Sequence, residues 1–158
     1  MAENNIAEIT ESKKFLVFRL GNEEYGIDIH KIATIIEKNM NIARVPKTPR
    51  YLKGVINLRG EIVPVVSLRL KFGLSEDVFG DETRIVIIKM EDMSIGLIVD
   101  SVAEVLELDE ETTESMANIT GELSFDYISG VGKVNGRIIT LLNLEKLVTL
   151  ETGDEYAK

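Results

Sequence analysis

A chain of 158 residues with 44% hydrophobic content fills one ordinary core or two small touching ones, which excludes two independent large domains. No cysteine occurs, so disulfide staples, thiolate catalysis and Cys-based metal sites are excluded and a reducing cytosol suits the composition. A formal net charge of −9 argues against a nucleic-acid surface. No apolar run approaches the length of a bilayer span and no basic patch leads into an apolar stretch at the start, so a soluble cytoplasmic protein without direct membrane insertion is expected.

Residues 1–13 are polar and acidic without periodicity and are expected to form a flexible tail, as are 151–158. Lys14 to Leu20 and Glu23 to Ile29 read as a strand pair across Gly21-Asn22, and His30 to Glu37 as a short helix carrying Ile32, Ile35 and Ile36. Asn41 to Pro46 is extended, and Thr48-Pro49 is a turn. Gly54 to Leu58 and Glu61 to Val66 form a hairpin closed by Arg59-Gly60. Ser67 is placed to cap a short helix, Leu68 to Phe72, which Gly73 stops. Strands follow at Arg84 to Met90 and Ser94 to Val99, then a strand or short helix from Val102 to Glu107. A hairpin around Asn135-Gly136 is the firmest local signal, and Asn143 caps a last helix running to about Leu150.

This order of elements occurs twice. Phe15 to Glu37 lines up on Ile85 to Glu107, a shift of 70 residues that sets Gly26 on Gly96 and Ala33 on Ala103. Gly54 to Leu68 lines up without a gap on Gly130 to Leu144, a shift of 76, so one loop of the second copy is six residues longer. Short strands, tight turns and little helix predict an all-β fold of small barrels that close to avoid open edges. Two copies predict two such barrels, roughly 15–75 and 84–150, sharing apolar surface because each alone has a thin core. Pro64 lies inside an apolar strand, which predicts an edge or a bulge there.

Catalytic chemistry finds little support. His30 is the single histidine, so a two-histidine metal site is impossible and a structural or solvent-exposed role is expected. Gly130-Val-Gly-Lys133 lacks the glycine and hydroxyl residue that a phosphate loop requires. No enzyme activity, cofactor or metal is expected. The charges are segregated: Asp100 to Glu114 holds seven acids and no base, whereas Lys38 to Lys71 holds eight bases and one acid, Glu61. These read as solvated faces or as opposite potentials shown to different partners or to each other.

A binding surface is the remaining candidate. Ile29, Ile32 and Ile35 recur at intervals of three, one stripe if the segment is helical, either in the core or lining a groove between the barrels. Arg59, a permanent charge at a hairpin tip, is either a solvated turn residue or a bidentate reach toward a carboxylate, with Asn57 beside it holding the turn or the partner.

Lys53-Gly-Val-Ile-Asn-Leu-Arg-Gly-Glu-Ile-Val-Pro-Val-Val-Ser-Leu-Arg69, preceded by Thr48-Pro-Arg-Tyr51 and Glu24-Tyr-Gly-Ile-Asp28, resembles the CheW family of bacterial chemotaxis coupling proteins. The likeness spans about residues 14–150. It implies a single domain, 14–150, of two interleaved five-stranded SH3-like barrels around a shared core, and a non-enzymatic adaptor between the cytoplasmic tips of methyl-accepting chemoreceptors and the regulatory domain of the histidine kinase CheA. It implies that the receptor tip lies between the barrels against Leu16, Ile29, Ile32 and Ile35, that Gly54, Asn57, Arg59 and Gly60 of the signature run serve receptor or kinase binding, and that a barrel end packs on the kinase. A coupling protein of a non-flagellar array, as in pilus motility, is the alternative. Thr34 stands where the family often has a glutamate able to pair with the signature arginine, and Ser67 where it often has aspartate.

Overall fold

The computed structural model describes residues 12–37, 41–115 and 127–149. The expected tails, apart from Ser12 and Lys13, lie outside the described residues, as does the expected helix end at Leu150. Eleven strands and two short helices follow in order: β1 (Ser12–Leu20), β2 (Glu23–Asp28), β3 (Ile32–Glu37), β4 (Leu52–Leu58), β5 (Glu61–Ser67), α1 (Leu68–Lys71), β6 (Arg84–Met90), β7 (Met93–Val99), β8 (Ser101–Asp109), β9 (Thr113–Ser115), β10 (Ile128–Val134), β11 (Arg137–Leu142) and α2 (Leu144–Thr149). The fold is all-β in character, as expected.

The strands form two sheets, and each draws on both halves of the chain. One sheet runs β8-β1-β2-β11-β10-β9 and the other β3-β6-β7-β5-β4. The hairpin β1–β2 of the first copy therefore pairs with β8 and β11 of the second, while β6–β7 of the second pairs with β3 and β5 of the first. Sheet boundaries thus cross the repeat boundaries at 15–75 and 84–150, and one sheet has six strands through the three-residue β9.

Three apolar clusters follow from this exchange, because alternate residues of a strand face opposite sides. Ile56, Val63, Val65, Ile85, Ile87 and Ile98, all from the second sheet, pack on one side of it. Val17, Leu108, Ile139 and Leu141, all from the first, form its counterpart. The intervening residues Leu16, Phe18, Leu20, Val86, Ile88, Leu97 and Val99 build the largest cluster, shared by both sheets, which Leu68, Leu144 and Leu147 of the two helices complete. Rings of Phe18, Tyr25, Phe72 and Tyr127 stack through it at centroid spacings of 5.6, 5.5 and 5.3 Å.

Even the irregularities are duplicated. Ala33 is the extra residue of a bulge in β3 against β6, and its repeat counterpart Ala103 is the extra residue in β8 against β1. Lys53 and its counterpart Ser129 play the same part in β4 and β10. Both hairpin tips take left-handed residues, Arg59 (φ 56°) with Gly60 (φ 87°) and Asn135 (φ 51°) with Gly136 (φ 81°), the pairing that suits the right-handed strand twist. Both helices are capped as expected: Leu70 N–H donates to Ser67 Oγ at 3.1 Å, and Lys146 N–H donates to Asn143 Oδ1 at 3.2 Å.

Two expectations are corrected. Residues 30–37 are not a helix: a single 3-10 turn, Ile29–Lys31, leads into β3, because Ile32, Thr34, Ile35 and Ile36 are β-branched and the segment completes the sheet beside β6. The Val102–Glu107 segment is likewise a strand, its repeat equivalent. The strand bearing Pro64 is neither an edge nor bulged at that residue: β5 lies between β4 and β7. Proline is tolerated because the parallel ladder to β7 starts only at Val65, so no pairing residue opposes Pro64 there.

Candidate functional site

The residues singled out from sequence fall into two groups on different elements. The first lies where the two sheets meet. Leu16 on β1 is only 5% exposed and belongs to the shared cluster, and Ile32 packs against that cluster from β3. Residues paired across a ladder point to the same face. Ile32 is paired with Ile88, and Ile35, beyond the bulge at Ala33, with Val86; both partners belong to the shared cluster. The bulge therefore returns Ile35 to the side of Ile32, which simple alternation would not do. Ile35 is 38% exposed there, on the open edge of its sheet. Ile29 sits half-buried in the 3-10 turn, so the single helical stripe imagined for 29, 32 and 35 is replaced by a turn and a bulged strand.

The other sheet repeats the arrangement. Val105 is the repeat counterpart of Ile35, pairs with Leu16 across β8 and β1, and is 47% exposed on the other sheet's open edge. Sequence reasoning passed over Val105 inside an acidic run; aligning it with Ile35 was the signal that would have found it. Each sheet thus ends in an edge strand with one accessible aliphatic residue on the side of the shared core.

Charged contacts fix the turn beneath Ile29. Asp28 Oδ1 accepts from His30 N–H at 2.9 Å, capping the 3-10 turn, and Lys31 Nζ reaches Glu145 of α2 at 2.7 Å. Each of that pair holds the other charged, raising the Lys31 pKa and lowering that of Glu145. His30 itself is exposed and pairs only with Asp28 among the described residues.

The second group is the tip of the β4–β5 hairpin. Asn57 Oδ1 accepts from Gly60 N–H at 2.9 Å, closing the turn and pre-setting its shape. Arg59 projects from it exposed and makes no ion pair among the described residues, so its guanidinium is available in full. The corresponding tip of the second copy is committed internally: Arg137, just past Asn135-Gly136, binds Glu24 through Nε at 3.0 Å and Glu104 through Nη1 at 2.7 Å. Gly54 belongs to neither surface. It is buried at φ +147°, and a Cβ there would clash with the carbonyl oxygen of Ala43, whose bridge to Val55 closes over it. Among the described residues no group of three or more His, Asp or Glu side chains is arranged to hold a metal ion.

Two interleaved sheets around one core, with aliphatic residues at their open edges and one duplicated hairpin left free while its copy is tied down, define a β-sheet scaffold module. The CheW-like domain family matches residues 14–152, and the chain belongs to that family. It is 36% identical over 148 residues to chemotaxis protein CheW of Klebsiella aerogenes, covering 94% of this chain and 89% of that one. Identity to chemotaxis protein CheW of Bacillus subtilis is 34% over 147 residues, covering 93% and 94%. The crystal structure of the scaffolding protein TtCheW from Thermoanaerobacter tengcongensis superposes with a TM-score of 0.80 at 32% identity, covering 90% of this chain and 96% of that one. The chain is accordingly a chemotaxis coupling protein in the sense of its family.

Proposed function

We propose that this protein is a cytoplasmic, non-enzymatic adaptor that couples methyl-accepting chemoreceptors to the regulatory domain of the histidine kinase CheA. The observation that carries the proposal is the pair Ile35 and Val105, exposed on the edge strands β3 and β8 on the side of the shared core. An amphipathic helical hairpin lays its apolar face on such residues, and each aliphatic side chain removed from water contributes about 1.5–3 kcal/mol. Arg59 and the preformed turn at Asn57–Gly60 add a directional polar contact. No described helix is long and apolar enough to cross a membrane.

The test uses purified receptor-tip and kinase regulatory-domain fragments. Ile35→Asp and Val105→Asp are each expected to weaken receptor binding at least about tenfold, and Arg59→Ala to weaken binding of one of the two fragments by about 1 kcal/mol or more. Thermal melts of these surface variants are expected to stay within about 2–4 °C of the parent. Receptor binding unchanged in the Ile35→Asp, Val105→Asp double variant would remove the proposal.

A further inference from the structure

A cavity of about 570 Å³ opens between the segment 42–53 and the loop 74–79. It shares no lining residue with the inter-sheet face or with the β4–β5 turn. Arg44, Lys47, Arg50 and Lys53 surround it, against one acid, Glu76. In a chain of net charge −9, this is a local excess of positive charge. Its walls are apolar as well: Val45 and Phe79 line it and are 38% and 41% exposed.

The molecule already shows what this site holds. The Glu76 carboxylate is gripped by Lys53 Nζ at 2.5 Å and by Arg50 Nη2 at 3.4 Å. These cations keep it below the usual carboxylate range, with Lys53 as the main cause. Arg44 and Lys47 make no ion pair among the described residues, so two cations remain beyond those that one carboxylate occupies. The residues flanking Glu76 are tied elsewhere, Ser75 to Arg69 Nη1 at 3.1 Å and Asp77 to the buried Ser67 hydroxyl, so Glu76 can swing out while its loop stays anchored.

The geometry points to a docking site for an acidic segment of a partner protein that carries an apolar anchor residue. Its carboxylates pair with Arg44, Lys47, Arg50 and Lys53, its anchor packs on Val45 and Phe79, and Glu76 is an internal stand-in that the segment displaces. Displacement makes Glu76 a competitor, so its removal strengthens binding.

The probe is a fluorescein-labelled decapeptide of Glu and Asp around one central Leu, titrated against the full chain and followed by anisotropy. Its Gln/Asn analogue is the control. The acidic peptide is expected to bind and the control not to, with affinity falling as salt rises past about 0.1 M, where the screening length is about 10 Å. Arg44→Glu with Lys47→Glu is expected to weaken binding at least about tenfold. Glu76→Gln is expected to strengthen it about two- to fivefold. Amide shifts on titration are expected in 44–53 and 74–79. Equal binding of both peptides, a Glu76→Gln variant that binds no tighter than the parent, or shifts confined to other residues would each overturn the assignment.

Discussion

Gly54 and its repeat counterpart Gly130 show how one atom decides local structure. A Cβ at Gly54 meets the Ala43 carbonyl, and a Cβ at Gly130 would come within 2.5 Å of the Glu114 carbonyl oxygen, so each glycine lets a covering segment hydrogen-bond across it. Gly54→Ala adds a left-handed backbone penalty to that clash and is expected to cost about 1–3 kcal/mol, read from the urea midpoint. At Asp100 the controlling factor is charge. Arg69 donates to both its oxygens, at 2.9 and 2.7 Å, and Gly21 N–H adds a third bond, so its pKa lies below the ordinary aspartate value. Stability from this clamp is complete above the ordinary value and is lost as pH falls through the lowered folded one. Asp77 acts oppositely: burial raises its pKa, so its charged form weighs against the fold at neutral pH and protonation relieves that cost below the raised value. Asp100→Asn is expected to cost about 1–2 kcal/mol at pH 7, and less at a pH below the ordinary aspartate range, where the lowered carboxyl also takes up its proton. Paired urea titrations at the two pH values check this, and an equal gap at both would refute it.

At the scale of elements, hairpins and caps were legible in the sequence and β3 was not. Asn135-Gly136 and the Ser67 and Asn143 caps act through bonds within three residues, so a short stretch of sequence contains the whole interaction. The two caps differ in depth: Ser67 is fully buried and also donates to Asp77, whereas the Asn143 contact is exposed. Ser67→Ala is expected to cost about 2 kcal/mol or more, because it removes the bond to Asp77 Oδ2 beside an Oδ1 that is already buried and unpaired among the described residues, and Asn143→Ala about 0.5–1 kcal/mol. Equal losses in denaturant melts would show that burial does not matter there. β3 was misread because isoleucines spaced by three fit a helix as well as a bulged strand, and the bulge at Ala33 depends on β6, more than fifty residues away in sequence. The error has a practical consequence. Ile32, which the sequence leaves open between core and groove, packs partly buried against the shared core, so the more exposed Ile35 is the informative substitution.

For the whole molecule, the exchange of strands means that neither half owns a sheet. Cutting between 73 and 83 would leave β1–β2 without β8 and β11, and β6–β7 without β3 and β5. Fragments 1–78 and 79–158 are expected to be largely unfolded alone and to recover dispersed amide spectra and cooperative melting on mixing. A fragment that melts cooperatively by itself would contradict this. The Arg69–Asp100 and Lys31–Glu145 pairs and the Glu24–Arg137–Glu104 cluster each join residues from different halves, which closes the exchange electrostatically at three places among the described residues. A frame tied in this way keeps Ile35 and Val105 in fixed relation, as the proposed coupling of two partners requires.

The residues alone determined the all-β character, the duplication, the tight turns, the helix caps and the family, because each rests on short-range chemistry or on a pattern compared with itself. Only the tertiary structure decided which strands pair, that Pro64 lies in an interior strand, that Ile35 and Val105 remain exposed while Ile32 packs inward, and that Arg59 is free while Arg137 is bound. The reason is that strand pairing depends on partners distant in sequence. Two copies of one strand pattern offer each hairpin two partners of similar apolar character, and only packing around the common core distinguishes exchange from self-closure.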